Sequence, residues 1–185
     1  MIISYSIWAA WLLSELLLNR LLRSGGTDKK DRDQGSLRII WLTIGVANTA
    51  GVLSAFYLKA PVSNSPLING IGLSIIALGV IIRFFSIWSL GRFFTVDVTI
   101  RKDHKLKTDG IYGLLRHPSY SGSILSFIGL GFSLNNWISV LAISIPVTIA
   151  MLYRINIEEK LLMKQFGSEY SDYMKKTYRL IPWIY

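Results

Sequence analysis

Residues 91–120 read GRFFTVDVTIRKDHKLKTDGIYGLLRHPSY, a polar, basic and turn-rich stretch set between long apolar runs. Those runs are near the roughly 20 residues needed to cross a hydrocarbon core, so the stretch reads as a loop held at a membrane surface. It carries both histidines of the chain, His104 and His117, and Arg116-His117-Pro118 opens the next apolar run. The chemistry is expected here.

Upstream, a third span covers about 67–90, with Gly70, Gly72 and Gly79 along it and Arg83 about two turns from its end. Arg83 is read as a side chain snorkelling to the interface. A short turn built on Pro61 and Pro66 precedes it. The second span covers about 37–58 and carries Gly45, Asn48, Thr49 and Gly51, small or polar residues that allow close helix contact in lipid. Residues 23–35 are polar and loop-like. The first span, about 2–22, lacks the basic start and small-residue cleavage site of a secretory signal, so it is read as retained. Its single acid, Glu15, is read as an interface carboxylate near the helix end.

Downstream, residues 120–134 are apolar, Asn135-Asn136 interrupts them, and 137–156 follow at once. So tight a polar turn predicts an antiparallel helical hairpin, with Pro146 in its second arm. Beyond Arg154 the chain turns polar. Leu161, Leu162, Phe166, Tyr170 and Tyr173 recur at helical intervals, which predicts that the last span runs on into an amphipathic helix in the tail, 157–185, with a break at Gly167. The expectation is an all-α polytopic membrane protein forming one domain, with about five transmembrane helices, the last two a hairpin, plus a cytosolic loop over 91–119.

Composition agrees. Half the 185 residues are apolar and 17% are charged, too few for a soluble domain of this size. The net charge of +9 does not point to nucleic acid, because 19 of the 20 basic residues fall in the first loop, around the central loop and in the tail. With five spans these three groups share one face, and only Lys59 lies on the other. The positive-inside rule then makes the loop and tail cytoplasmic and puts the N-terminus outside. There is no cysteine, which excludes disulfides, zinc-thiolate sites and a thiol nucleophile. The two histidines are too far apart for a helical metal pair, so no metal is expected, and no Gly-rich phosphate loop is present.

The tight hairpin brings Arg116-His117-Pro118 at its entrance beside Arg154, Glu158 and Glu159 at its exit. Arg154 and Glu158 are four apart, on one helical face. Each has a plain reading as well. Arg116 serves as a positive-inside anchor, His117 as a helix-start polar residue, and the glutamates as a solvated face or as partners of Arg154 and Lys160. Their convergence is what points to a site.

In order, Gly91-Arg92-Phe93-Phe94-Thr95, His104-Lys105-Leu106-Lys107, Gly110-Ile111-Tyr112, Arg116-His117-Pro118-Ser119-Tyr120-Ser121-Gly122, Glu158-Glu159, Phe166-Gly167-Ser168-Glu169-Tyr170 and Ile181-Pro182 resemble the isoprenylcysteine carboxyl methyltransferase family. The resemblance covers roughly the C-terminal half. It implies an integral-membrane methyltransferase that uses S-adenosylmethionine without a Rossmann domain, its cofactor pocket closed by the cytosolic loop and tail. By position, the cofactor contacts it implies are Asp97, His104, Lys105, Leu106, Lys107, Tyr112, His117, Pro118, Ser119, Tyr120 and Glu158. Arg154 would face the methyl acceptor, with Glu158 beside it in the catalytic site. Asp97 stands where the eukaryotic enzymes have a neutral amide, and Lys107 where they have an apolar residue.

That resemblance leads to methyl transfer onto the carboxylate of a lipophilic or lipidated acceptor, such as an isoprenylated cysteine or an analogue. The alternatives are N-methylation of an amine-bearing phospholipid headgroup, a sterol-type reductase of similar membrane fold, and a non-catalytic membrane protein that keeps the loop as a ligand-binding surface. Partners are then the lipophilic acceptor and membrane lipids, without nucleic acid.

Overall fold

A computed structural model of the chain describes residues 2–22, 35–96 and 105–185. Six α-helices account for most of them: α1 (Ile2–Leu21), α2 (Ser36–Tyr57), α3 (Leu67–Leu90), α4 (Pro118–Ser133), α5 (Trp137–Phe166) and α6 (Ser168–Lys176), with 3-10 turns at Gly91–Phe93 and Gly110–Gly113. The all-α expectation holds. Among the described residues three helices are long and apolar enough to cross a membrane, Ser36–Tyr57, Leu67–Phe93 and Trp137–Phe166. The helix α1 carries Glu15, Asn19, Arg20 and three serines, and α4 has 16 residues, about 24 Å at 1.5 Å per residue.

The hairpin forms where the sequence places it, and its turn residues explain why. Asn135 takes a left-handed φ of 50°, a conformation its short amide side chain tolerates. The Asn136 Oδ1 caps α5 by accepting from Ser139 N at 3.0 Å. Both amides also reach sideways. Asn135 Oδ1 accepts from the backbone of Val62 and Ser63 at 3.1 Å each, and Asn136 Nδ2 donates to Leu58 O at 2.7 Å. One dipeptide thus ends α4, starts α5 and holds the α2–α3 connection.

Helices α3 and α4 lie almost backbone to backbone. A Cβ at Gly79 would stand 2.5 Å from Gly122 O, one at Gly122 2.7 Å from Arg83 N, and one at Gly129 2.7 Å from Ile76 N. Only hydrogen fits at these crossings, and close approach of this kind is what holds helices together in lipid. Gly51 does the same for α2 against Ile143 of α5, whereas Gly45, expected at a contact, has nothing within 4 Å of its Cβ position. Trp11, Ile76, Phe127, Ile143, Val147 and Met151 form the buried centre between these helices.

Of two boundaries, the first differs from expectation and the second follows it. Helix α4 begins at Pro118 rather than 120, since proline suits the first helical position, where its missing N–H costs nothing. Helix α5 continues without a break to Phe166 and stops at Gly167, whose φ of 54° favours glycine. After α6 the chain returns to the hairpin entrance. Arg116 N donates to Tyr178 O at 2.8 Å, Tyr178 N to Leu114 O at 3.0 Å, and Ser121 Oγ to Leu180 O at 2.7 Å. The tail therefore closes onto the start of α4.

Candidate active site

The hairpin entrance, the α5 exit and the tail enclose a cavity of about 170 Å³. Of the residues singled out from sequence, Leu106, Lys107, Tyr112, His117, Ser119, Tyr120, Arg154 and Glu158 line it. Pro118 is fully buried in the first turn of α4, and Lys105 is exposed; neither is part of the wall. Asp97 and His104 lie outside the described residues.

At the centre is a polar ring. Arg154, buried at 3% exposure, donates from Nε to Tyr120 Oη at 3.0 Å, from Nη1 to Ser36 Oγ at 2.7 Å, and from Nη2 to Val96 O. The Tyr120 hydroxyl passes the interaction on, donating to Glu158 Oε2 at 2.8 Å. Helical spacing explains the geometry: residues 154 and 158 are one turn apart, and Tyr120 on the facing arm reaches both. Tyr112 closes the loop side, donating to Ser86 O at 3.2 Å, and Tyr173 of α6 donates to Tyr112 O at 2.6 Å. Burial raises the pKa of both phenols, so they remain hydrogen-bond donors throughout the physiological range.

Glu159 gathers a second group. Its Oε1 accepts from Arg116 Nε at 3.1 Å and lies 3.2 Å from His117 Nε2, while Oε2 lies 2.6 Å from Arg179 Nη2. Arg116 further donates from Nη1 to Met174 O at 3.1 Å and to Thr177 O. Two plain readings are thereby corrected. Arg116 is not a solvated anchor but a largely buried clasp on the tail, and Glu159 pairs with Arg116, His117 and Arg179 rather than with Lys160 or Arg154. His117 joins the two groups, its Nδ1 standing 4.0 Å from Glu158 Oε1.

Sequence reasoning also missed a third feature. Glu15 and Arg83 are not separate interface charges: Glu15 Oε1 meets Arg83 Nε at 2.7 Å, with side chains 13% and 14% exposed. Arg83 Nη1 donates to Ser119 Oγ at 3.0 Å and to Ser119 O at 3.3 Å. The available signal was a lone acid in one apolar run and a lone base in another, since isolated opposite charges at membrane depth seek each other. No group of three or more His, Asp or Glu able to hold a metal occurs among the described residues.

The sequence pattern of the phospholipid methyltransferase family matches residues 68–169, more than half of the chain and the region that builds this cavity. The chain belongs to that family. Within it, relatives are the isoprenylcysteine methyltransferases that the motifs resemble. Protein-S-isoprenylcysteine O-methyltransferase B of Arabidopsis thaliana is 38% identical over 119 residues, 63% of this chain and 60% of the plant protein. The enzyme of Schizosaccharomyces pombe is 37% identical over 114 residues, 60% of this chain and 48% of its own length. A solved structure of the eukaryotic intramembrane Ras methyltransferase, isoprenylcysteine carboxyl methyltransferase, superposes with a TM-score of 0.66 at 29% identity, covering 78% of this chain and 52% of that one. The chain thus spans about half to three-fifths of the length of these relatives. With three helices of spanning length and an intramembrane structural relative, this family member is an integral, multi-pass membrane protein.

Proposed function

We propose that the chain transfers a methyl group from S-adenosylmethionine to the carboxylate of a lipophilic acceptor, an isoprenylated cysteine or an analogue. The observation that carries this reading is the single cavity on which Tyr120, Glu158, Arg154 and His117 converge, inside the region shared with isoprenylcysteine methyltransferases. The chain is read as one domain with five spans, α1 and α4 joining the three longer helices. The loop and tail then face the cytoplasm and the N-terminus lies outside, in keeping with the distribution of basic residues.

The donor set suits the cofactor. S-adenosylmethionine carries a carboxylate, an ammonium, a sulfonium and an adenosine, and the cavity offers a glutamate, basic side chains and aromatic faces. Tyr170 Oη, on the cavity wall, is buried with no hydrogen-bond partner among the described residues, as expected for a group that waits for a ligand. Glu158, fixed by the Tyr120 hydroxyl, would hold the cationic end, with Tyr112 and Tyr120 as packing surfaces and His117, Ser119, Leu106 and Lys107 completing the wall. Pro118, Lys105, Asp97 and His104 complete the proposed cofactor set by position.

When bound, the cofactor supplies a methyl group on a sulfonium, open to in-line displacement. A carboxylate acceptor needs no general base, so the work left to the protein is position and exclusion of water. Arg154 would grip the acceptor carboxylate with its two Nη atoms, the acceptor replacing Ser36 Oγ and Val96 O, while Nε stays on Tyr120. The apolar walls from α2 and α5 suit a lipid tail.

The family pattern, described as that of phospholipid methyltransferases, favours one second reading, N-methylation of a headgroup amine. That acceptor must lose a proton, for which Glu158 or His117 is in reach. Methyl-labelled S-adenosylmethionine, offered with farnesylcysteine, a fatty acid, a thiol and phosphatidylethanolamine to the detergent-purified protein, separates the two. Base-labile methyl ester on farnesylcysteine supports the proposal, and label on phosphatidylethanolamine alone overturns it.

A further inference from the structure

Among the described residues four tyrosines line the cavity, Tyr112, Tyr120, Tyr170 and Tyr173. Three have their hydroxyls engaged by the protein: Tyr112 donates to Ser86 O, Tyr120 to Glu158 Oε2 and Tyr173 to Tyr112 O. Tyr170 differs. It is 1% exposed, and its Oη has no hydrogen-bond partner among the described residues. It also lies just past the residues matched by the family pattern, which end at 169.

Local structure explains how the ring gets there. Gly167 ends α5, and α6 restarts the helix at Ser168. Residues 170 and 173, three apart, then share the inner face of α6 with their rings 5.9 Å apart, while Glu169, Asp172, Lys175 and Lys176 stay exposed. That face is fixed by the Tyr173 hydroxyl on Tyr112 O and by Arg116 on Met174 O and Thr177 O. The Tyr170 hydroxyl takes no part in these bonds. A buried hydroxyl without a partner costs free energy that a phenylalanine of the same shape would not, so what it lacks is an acceptor on a ligand. Burial first, and then the nearby Glu159 and Glu158 carboxylates, hold the phenol well above its ordinary pKa, so it stays a donor. Glu158 is also the residue read as holding the cationic end of the cofactor. The ligand nearest Tyr170 is then the cofactor.

We propose that Tyr170 is a further cofactor-binding residue, its hydroxyl donating to an acceptor atom of bound S-adenosylmethionine and so tying α6 to the ligand. This inference rests on the reading of the cavity as a cofactor site. Its consequence is linkage: a contact that forms only with the tail closed favours the closed tail in the bound protein by the same factor by which it tightens the ligand.

The test compares the native full chain with Tyr170→Phe in detergent, by thermal unfolding without ligand, by equilibrium binding of S-adenosylhomocysteine, and by limited proteolysis of the tail with and without that ligand. The unliganded variant should be as stable as the native protein or more so, while its S-adenosylhomocysteine affinity falls about threefold or more. Saturating S-adenosylhomocysteine should slow cleavage after residue 166 in the native protein, and slow it by a factor about threefold or more smaller in the variant. A merely structural hydroxyl would give the reverse, a lower unfolding temperature with unchanged affinity. A variant less stable than the native protein, a smaller loss of affinity, or equal protection of the two tails overturns the inference and leaves the proposed activity standing. Native protein that binds neither S-adenosylhomocysteine nor S-adenosylmethionine overturns both. The predicted losses in the variant, without methyl ester formation by the native protein, would support Tyr170 as assigned and remove the proposed activity.

Discussion

Glu158 and Glu159 are neighbours on α5, yet they belong to two different regions. Around Glu159, Arg116, His117 and Arg179 use both carboxylate oxygens, and the result ties the tail to the hairpin entrance. Glu158, among the described residues, accepts one hydrogen bond, from Tyr120; its side chain is 31% exposed, and it lines the cavity. One acid is engaged through both oxygens by basic side chains; the other meets a tyrosine hydroxyl and faces the cavity. The comparison teaches that adjacent like charges on a helix, about 100° apart around its axis, can divide structural and chemical duty between them. It also explains how so small a chain encloses a site, since the closing contacts and the binding contacts come from one turn of one helix.

The largest effect should come from the closed region. Glu159→Gln leaves Arg116 and Arg179 without their carboxylate in a largely buried place, and loss of one partner from such a cluster costs on the order of 3 kcal/mol. Thermal unfolding in detergent should show the fall, and limited proteolysis should cut the tail after residue 166 faster than in the native protein. A Glu158→Gln protein as unstable as Glu159→Gln would break the comparison. A smaller but more specific effect is expected of Arg154→Lys. The lysine keeps the charge but cannot offer two parallel N–H groups, so turnover should fall about tenfold or more while cofactor affinity stays within about threefold. Equal losses of both would move Arg154 from acceptor to cofactor. Smallest of all is Lys107→Ala. The exposed pair of Lys107 with Asp109, 2.9 Å apart, should contribute little to stability, so a large loss of cofactor binding without loss of stability would show that Lys107 contacts the ligand.

The three long apolar helices, the Asn135-Asn136 turn, the Gly167 break and the approach of Arg154 and Glu158 to His117 were all legible, because each follows from local signals: hydropathy, turn chemistry and helical spacing. What was not legible depends on contacts between distant segments. The return of residues 178–180 onto residues 114–121 uses backbone hydrogen bonds between two irregular pieces, which leave no periodic trace. The Glu15–Arg83 pair needed knowledge of which faces α1 and α3 present to each other. Taken singly, each charge had a cheaper reading at the interface, and only their meeting removes it. The division between Glu158 and Glu159 was equally hidden, since both read as one acidic pair.

The central claim is that the Glu158 ring, and not the Glu159 cluster, receives the cofactor. Equilibrium binding of labelled S-adenosylmethionine to the native protein and to Glu158→Gln and Tyr120→Phe, each with its thermal unfolding recorded, tests it most directly. Affinity should fall about tenfold or more in Glu158→Gln, and measurably in Tyr120→Phe, with unfolding shifted by no more than about 1 kcal/mol in either. Native affinity in a folded Glu158→Gln protein would contradict the account.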